Sequence, residues 1–148
     1  MTRSCEEMIA ALQAFEPTSD AADNVHWLNE TLEGFVALAR CDDVAQALFA
    51  LLERRPEADF GTPGPLVHAL EGLRAYPAQL ADSLHRQPTE LGAWMANRLL
   101  NSPLSREDRA AWLQRLTEVA SHPRADKSVR ESAIRFLDFQ ASRPVRVD

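Results

Sequence analysis

Few side chains in this sequence are of a type and spacing that could do chemistry. His68 and Glu71 stand three residues apart, the spacing of neighbours on one helical face, and an imidazole beside a carboxylate can move protons. No Ser, Cys or second acid completes a triad with them, so the pair reads as structure or interface rather than as a catalytic dyad. His26, His68, His85 and His122, taken with Cys5 and Cys41, contain no Cys-x-x-Cys, no His-x-x-x-His and no comparable ligand pair, and no metal is expected. The stretch Phe60-Gly61-Thr62-Pro63-Gly64-Pro65-Leu66-Val67-His68 holds two of the five glycines and two of the nine prolines. A phosphate-binding loop needs free backbone N–H groups. Pro63 and Pro65 remove two of them, no Lys-Ser or Lys-Thr follows, and a helix rather than a strand precedes the loop. Neither a nucleotide nor another cofactor is expected, and the chain reads as a non-enzyme.

The remaining chemistry is that of contact. Pro65 suits the first position of a helix and Gly64 tolerates the restriction that a following proline imposes, so the loop Gly61, Thr62, Pro63, Gly64 and Pro65 reads as a stiff helix entry. It either holds Asp59, Phe60 and His68 in place for a partner or only sets the angle between two helices. A second candidate is the set Asp20, Asp23, Trp27 and Glu30, which a helical turn brings together opposite the stripe Val25, Leu28, Leu32 and Phe35. A Trp among carboxylates suits a protein contact, with the acids meeting an incoming Lys or Arg; alternatively Trp27 packs under a neighbouring helix. Further on, Glu90, Trp94, Asn97, Arg98 and Asn101 share one flank of a helix whose other side carries Leu91, Met95 and Leu99. These polar groups either form a satisfied buried network or reach outward beside the Trp. The partner-binding candidates are thus Asp20, Asp23, Trp27, Glu30, Asp59, Phe60, His68, Glu71, Trp94, Asn97, Arg98 and Asn101.

The elements that position them are helical. Ser4 and Glu7 have capping-box spacing for a first helix over about residues 4–16, which Pro17 ends. A second runs over about 20–40, and Asp42 can cap a third that Pro56 stops. Leu66, Leu70 and Leu73 mark a fourth, Pro77 begins a short fifth, and Thr89 caps a sixth to about Asn101. Ser105 with Asp108 starts a seventh, Ser128 with Glu131 an eighth, and Pro144 a short tail. No stretch shows sustained period-two alternation. The expected fold is all-α, with about eight helices packed as antiparallel hairpins in either a short HEAT-like array or an irregular bundle.

At 148 residues with 45% hydrophobic and 26% charged content, a single helical domain over 1–148 is expected. Two thiols in a helical chain that needs no bridge favour a reducing compartment, and no signal-type or membrane-spanning run is visible, so a cytoplasmic protein without a membrane partner is expected. The net charge of −6 is uneven. Residues 1–74 carry 13 acids and 5 bases, net −8, and residues 75–148 carry 9 acids and 11 bases, net +2. The front half would repel nucleic acid and attract a basic protein. Oligomeric state is left open.

Taken together, the stretch Phe60 to His68, then Glu71, Tyr76, Pro88-Thr89 and Trp94-Met95-Ala96-Asn97-Arg98, resembles a pattern in bacterial immunity proteins of polymorphic-toxin systems, of the Rhs and contact-dependent growth inhibition types. The likeness spans about residues 59–101. It implies a small cytoplasmic helical protein that binds and blocks the C-terminal toxin domain of a sibling cell's exported effector and has no catalysis of its own. Many such toxins are nucleases with basic clefts, which an acidic surface could occupy. The resemblance carries over Gly61, Pro63, Gly64, Pro65, His68, Trp94, Asn97 and Arg98 as pattern positions, as scaffold or as interface. The competing expectation is a helical-repeat adaptor for some other cytoplasmic protein.

Overall fold

A computed structural model describes residues 4–33, 42–56, 58–61 and 64–143. Among these residues the chain forms eight α-helices and no strand: α1 (Cys5–Ala14), α2 (Ala21–Thr31), α3 (Asp42–Arg54), α4 (Pro65–Glu71), α5 (Tyr76–Arg86), α6 (Glu90–Leu100), α7 (Arg106–Val119) and α8 (Lys127–Ser142). Phe35, Val36, Leu38 and Ala39, expected in the second helix, lie outside the described residues, as do Thr62 and Pro63. No described helix is long and apolar enough to cross a membrane.

The caps explain where the helices begin. Ser4 Oγ accepts the Glu7 N–H while Glu7 Oε1 takes the Ser4 N–H, a full capping box. Asp20 Oδ1 accepts from the N–H groups of Ala22 and Asp23, Thr89 Oγ1 from Gly92, and Ser105 Oγ from Asp108. The start of α8 differs from expectation: Asp126, not Ser128, is the N-cap residue, and its side chain makes no cap bond. Glu131 instead pairs with Lys127 at 3.9 Å on an exposed face.

The chain divides into two compact units, Met1–Gln79 and Leu80–Asp148. In the first, α1 packs on α2 and α3, and α4 packs on α2 and α3. That is the contact pattern of two stacked helical hairpins, each helix touching its hairpin partner and the equivalent helix of the other pair. Met8, Leu12, Leu28, Val44, Leu48, Leu51, Leu66 and Leu70 are fully buried between them. Arg54 fastens the end of α1, its Nη2 donating to the carbonyls of Leu12 and Phe15 at 3.2 and 3.3 Å, where the helix end is short of donors. In the second unit α6, α7 and α8 pack on one another around Met95, Leu100, Trp112, Leu116, Val129 and Ala133.

One expectation fails at the cysteines. Cys5 is disulfide-bonded, and Cys41, the only other cysteine in the sequence, lies outside the described residues. A helical core of this size does not require a bridge, yet Cys5 is held in one. The cysteines therefore do not favour a reducing compartment.

Candidate functional site

The segment 58–61, which leads into the glycine–proline loop, is tied to α2. Phe60 is 1% exposed and belongs to the core, which removes it from the partner-facing residues. Asp59 stands outside on the surface, and its Oδ1 accepts the Gly61 N–H at 2.9 Å. Gly61 has φ +89°, a left-handed conformation, and a Cβ there would come within 3.0 Å of Val25 Cγ2. At Gly64 a Cβ would stand 2.1 Å from the Phe60 carbonyl oxygen, a distance no side chain permits. Pro65 opens α4 as its first residue. Both described glycines of the loop are steric necessities. His68 projects from α4 as an exposed side chain, and Glu71 at the end of that helix is half-buried.

What holds the loop to α2 is Asn24, which the sequence reading passed over. Asn24 is 1% exposed; its Nδ2 donates to Asp59 O at 3.0 Å and Thr18 O at 2.9 Å, and its Oδ1 accepts the Thr18 N–H at 2.8 Å. One amide thus ties the α1–α2 connection and the 58–61 segment to the first turn of α2. The buried face of α2 is accordingly Asn24, Leu28 and Thr31, rotated from the expected apolar stripe, and Val25 is only half-buried. A polar residue four positions before Leu28 and seven before Thr31 was the available signal.

That rotation brings Trp27 to the edge of α1. Its ring stacks on Phe15 with centroids 3.8 Å apart and planes 16° from parallel, so Trp27 packs against a neighbouring element while staying half-exposed. Beside the stack lies an open hollow of about 530 Å³, lined by Ala11, Ala14, Phe15, Glu16, Thr18, Asp23, Asn24 and Trp27. The four residues grouped on this face have different duties. Asp20 is occupied as the helix cap, Glu30 pairs with His26 at 3.2 Å, and Glu16 on the rim pairs with Arg55. Asp23 is exposed and its carboxylate makes no hydrogen bond or ion pair among the described residues.

The flank of α6 resolves differently. Gln140 of α8 is 1% exposed, and its Nε2 donates to Asn97 Oδ1 at 2.7 Å and Asn101 Oδ1 at 2.8 Å. Arg109 of α7 donates to Gln140 O and Oε1 at 3.3 and 3.4 Å and to Leu100 O at 3.3 Å. Asn97 and Asn101 are therefore engaged in a network joining three helices, and they leave the set of free contact residues. Trp94 remains half-exposed with the Arg98 guanidinium 5.6 Å from its ring centroid, and Glu90 accepts from Ser132 Oγ at 3.3 Å. Arg143 donates to Asn101 and lies 5.6 Å from the ring of Phe139, which with Ile134 is one of two large apolar side chains of α8 left 48% exposed. Gln140 falls on the Val129–Ala133–Phe136 stripe, where a polar residue signals a buried partner.

His122 is also spoken for: the Arg124 N–H donates to Nδ1 at 3.0 Å, which leaves the proton on Nε2 to meet His85 O at 2.6 Å. Among the described residues no three His, Cys, Asp or Glu side chains come together as metal ligands. No family model, curated protein or solved structure matches this chain. The α2 face, with its half-exposed Trp27 and an exposed Asp23 beside a hollow, keeps a sequence-expected contact pair available to a partner, as do the exposed His68 of α4 and the Trp94–Arg98 pair of α6.

Proposed function

We infer that the chain is an immunity-type inhibitor, which binds the toxin domain of a large exported effector and covers its active or substrate-binding surface. A nuclease is the toxin class that fits best. The observation that carries the reading is the outward face of α2: an aromatic side chain and carboxylates at the surface of a unit whose residues 1–79 hold 13 acids against 5 bases. A nuclease cleft is basic because it must hold phosphate, and an acidic surface with an aromatic anchor complements it in charge and in apolar contact. The resemblance of residues 59–101 to immunity proteins points the same way, with the loop as scaffold and the α2 face as the selecting surface.

The reading assigns the chain no catalysis, no cofactor and no nucleic acid. It places the chain in the cytoplasm with its toxin, and there the Cys5 bridge pulls the other way, since such bonds persist mainly in oxidising compartments. Thiol labelling of the protein in intact cells decides the compartment question. Function is tested by expressing the end of the exported protein encoded immediately upstream. The expected result is a complex that co-purifies and a toxin silenced at equimolar inhibitor. A toxin that stays fully active in excess of this protein rejects the reading.

A further inference from the structure

The hollow beside the Phe15–Trp27 stack has a chemistry more specific than an acidic surface. Its lining is apolar on the α1 side, through Ala11, Ala14 and Phe15, and it ends on the ring of Trp27. Asp23 stands one turn before Trp27 on α2, so carboxylate and ring belong to the same helical face. Neither is used internally at its polar end: among the described residues Asp23 has no side-chain partner, and the indole N–H of Trp27 makes no hydrogen bond. The ring is immobilised by its stack on Phe15, which is itself 8% exposed, so a group docking on it loses little to ordering. The other carboxylate of the rim, Glu16, already holds an arginine of the chain, Arg55.

We propose that this hollow is a receptor for one arginine side chain of the partner protein, the guanidinium lying on the exposed part of the Trp27 ring with its N–H edge on the Asp23 carboxylate. A planar, weakly hydrated cation is the group that satisfies a ring face and a carboxylate at the same time, and it does so better than the compact ammonium of lysine. That the partner is basic rests on the inhibitor reading; the receptor itself is a property of α1 and α2 alone.

The probe is N-acetyl-arginine amide, titrated into the full chain while the three indole N–H resonances are followed by NMR, with Trp27→Phe used to assign its signal. The expected result is a saturable displacement of the Trp27 resonance with those of Trp94 and Trp112 unmoved. Affinity should fall about tenfold in Asp23→Asn, whose exposed position leaves the fold intact, and should be lower for N-acetyl-lysine amide. The site is overturned by an unmoved Trp27 resonance, by a displacement as strong in Asp23→Asn, by one that all three indoles share, or by tighter binding of the lysine analogue. A toxin left active would end the inhibitor reading without touching this titration. A silent titration would end the arginine site and leave inhibition to other surfaces.

Discussion

Gly64 shows how strictly single residues are constrained near the site. A Cβ at that position would meet the Phe60 carbonyl oxygen at 2.1 Å, and neither atom belongs to a flexible side chain. Gly64→Ala is expected to lower stability by about 3 kcal/mol or more, seen as a drop in the urea midpoint at unchanged slope. Gly61→Ala is expected to cost less, about 1–2 kcal/mol, because Val25 can yield slightly while the left-handed backbone cannot. Asn24→Leu leaves the Asp59 and Thr18 carbonyls and the Thr18 N–H without their partner and should cost about 2 kcal/mol by the same assay. Asp23 belongs to the opposite class, exposed and unengaged, so Asp23→Asn should leave the midpoint within about 0.5 kcal/mol of the parent.

The helices depend on a few side chains that reach across to a neighbour's end. Arg54→Met removes the guanidinium from the Leu12 and Phe15 carbonyls, leaving Leu12 O only the Phe15 N–H, and should destabilise by about 1–2 kcal/mol, with faster amide exchange at the end of α1 as the local signature. Gln140→Leu keeps the volume of the α8 side chain but takes the amide donor from Asn97 and Asn101 and one of the acceptors from Arg109, and about 2 kcal/mol should be lost with exchange rising along α6. Legibility divides along the same line. Ser4 with Glu7, Thr89, and Ser105 with Asp108 mark helix starts through bonds to their own next turn, Pro65 marks one through its fixed φ and missing N–H, and such local rules can be read from spacing. Asn24, Arg54 and Gln140 act on partners 35 to 43 residues away; a polar residue on a buried stripe marks Asn24 and Gln140 as engaged, but nothing in the local sequence says with which distant carbonyl or amide. The same limit explains the candidate site. Trp27 and Asp23 could be placed on one helical face from the period of 3.6, whereas the stack on Phe15, the burial of Phe60 and the engagement of Asn97 and Asn101 all depend on packing between elements.

For the molecule as a whole, charge is the feature on which the proposed choice of partner rests. The unit of residues 1–79 carries net −8 and residues 80–148 carry net +2, so a basic partner of the proposed kind would be drawn to the first of them before any contact forms. That steering works through exposed charges and is screened by salt over roughly 8–10 Å at physiological ionic strength. Complex formation should therefore slow as salt rises while dissociation changes little. The measurement that bears most directly on the account is the association rate of the upstream-encoded toxin domain with the parent chain and with Asp23→Lys/Glu30→Lys, each at low and high salt. The account predicts a rate at least about tenfold lower for the double reversal at low salt, with the difference shrinking at high salt. An association rate unchanged by the reversal at both salt concentrations would contradict it.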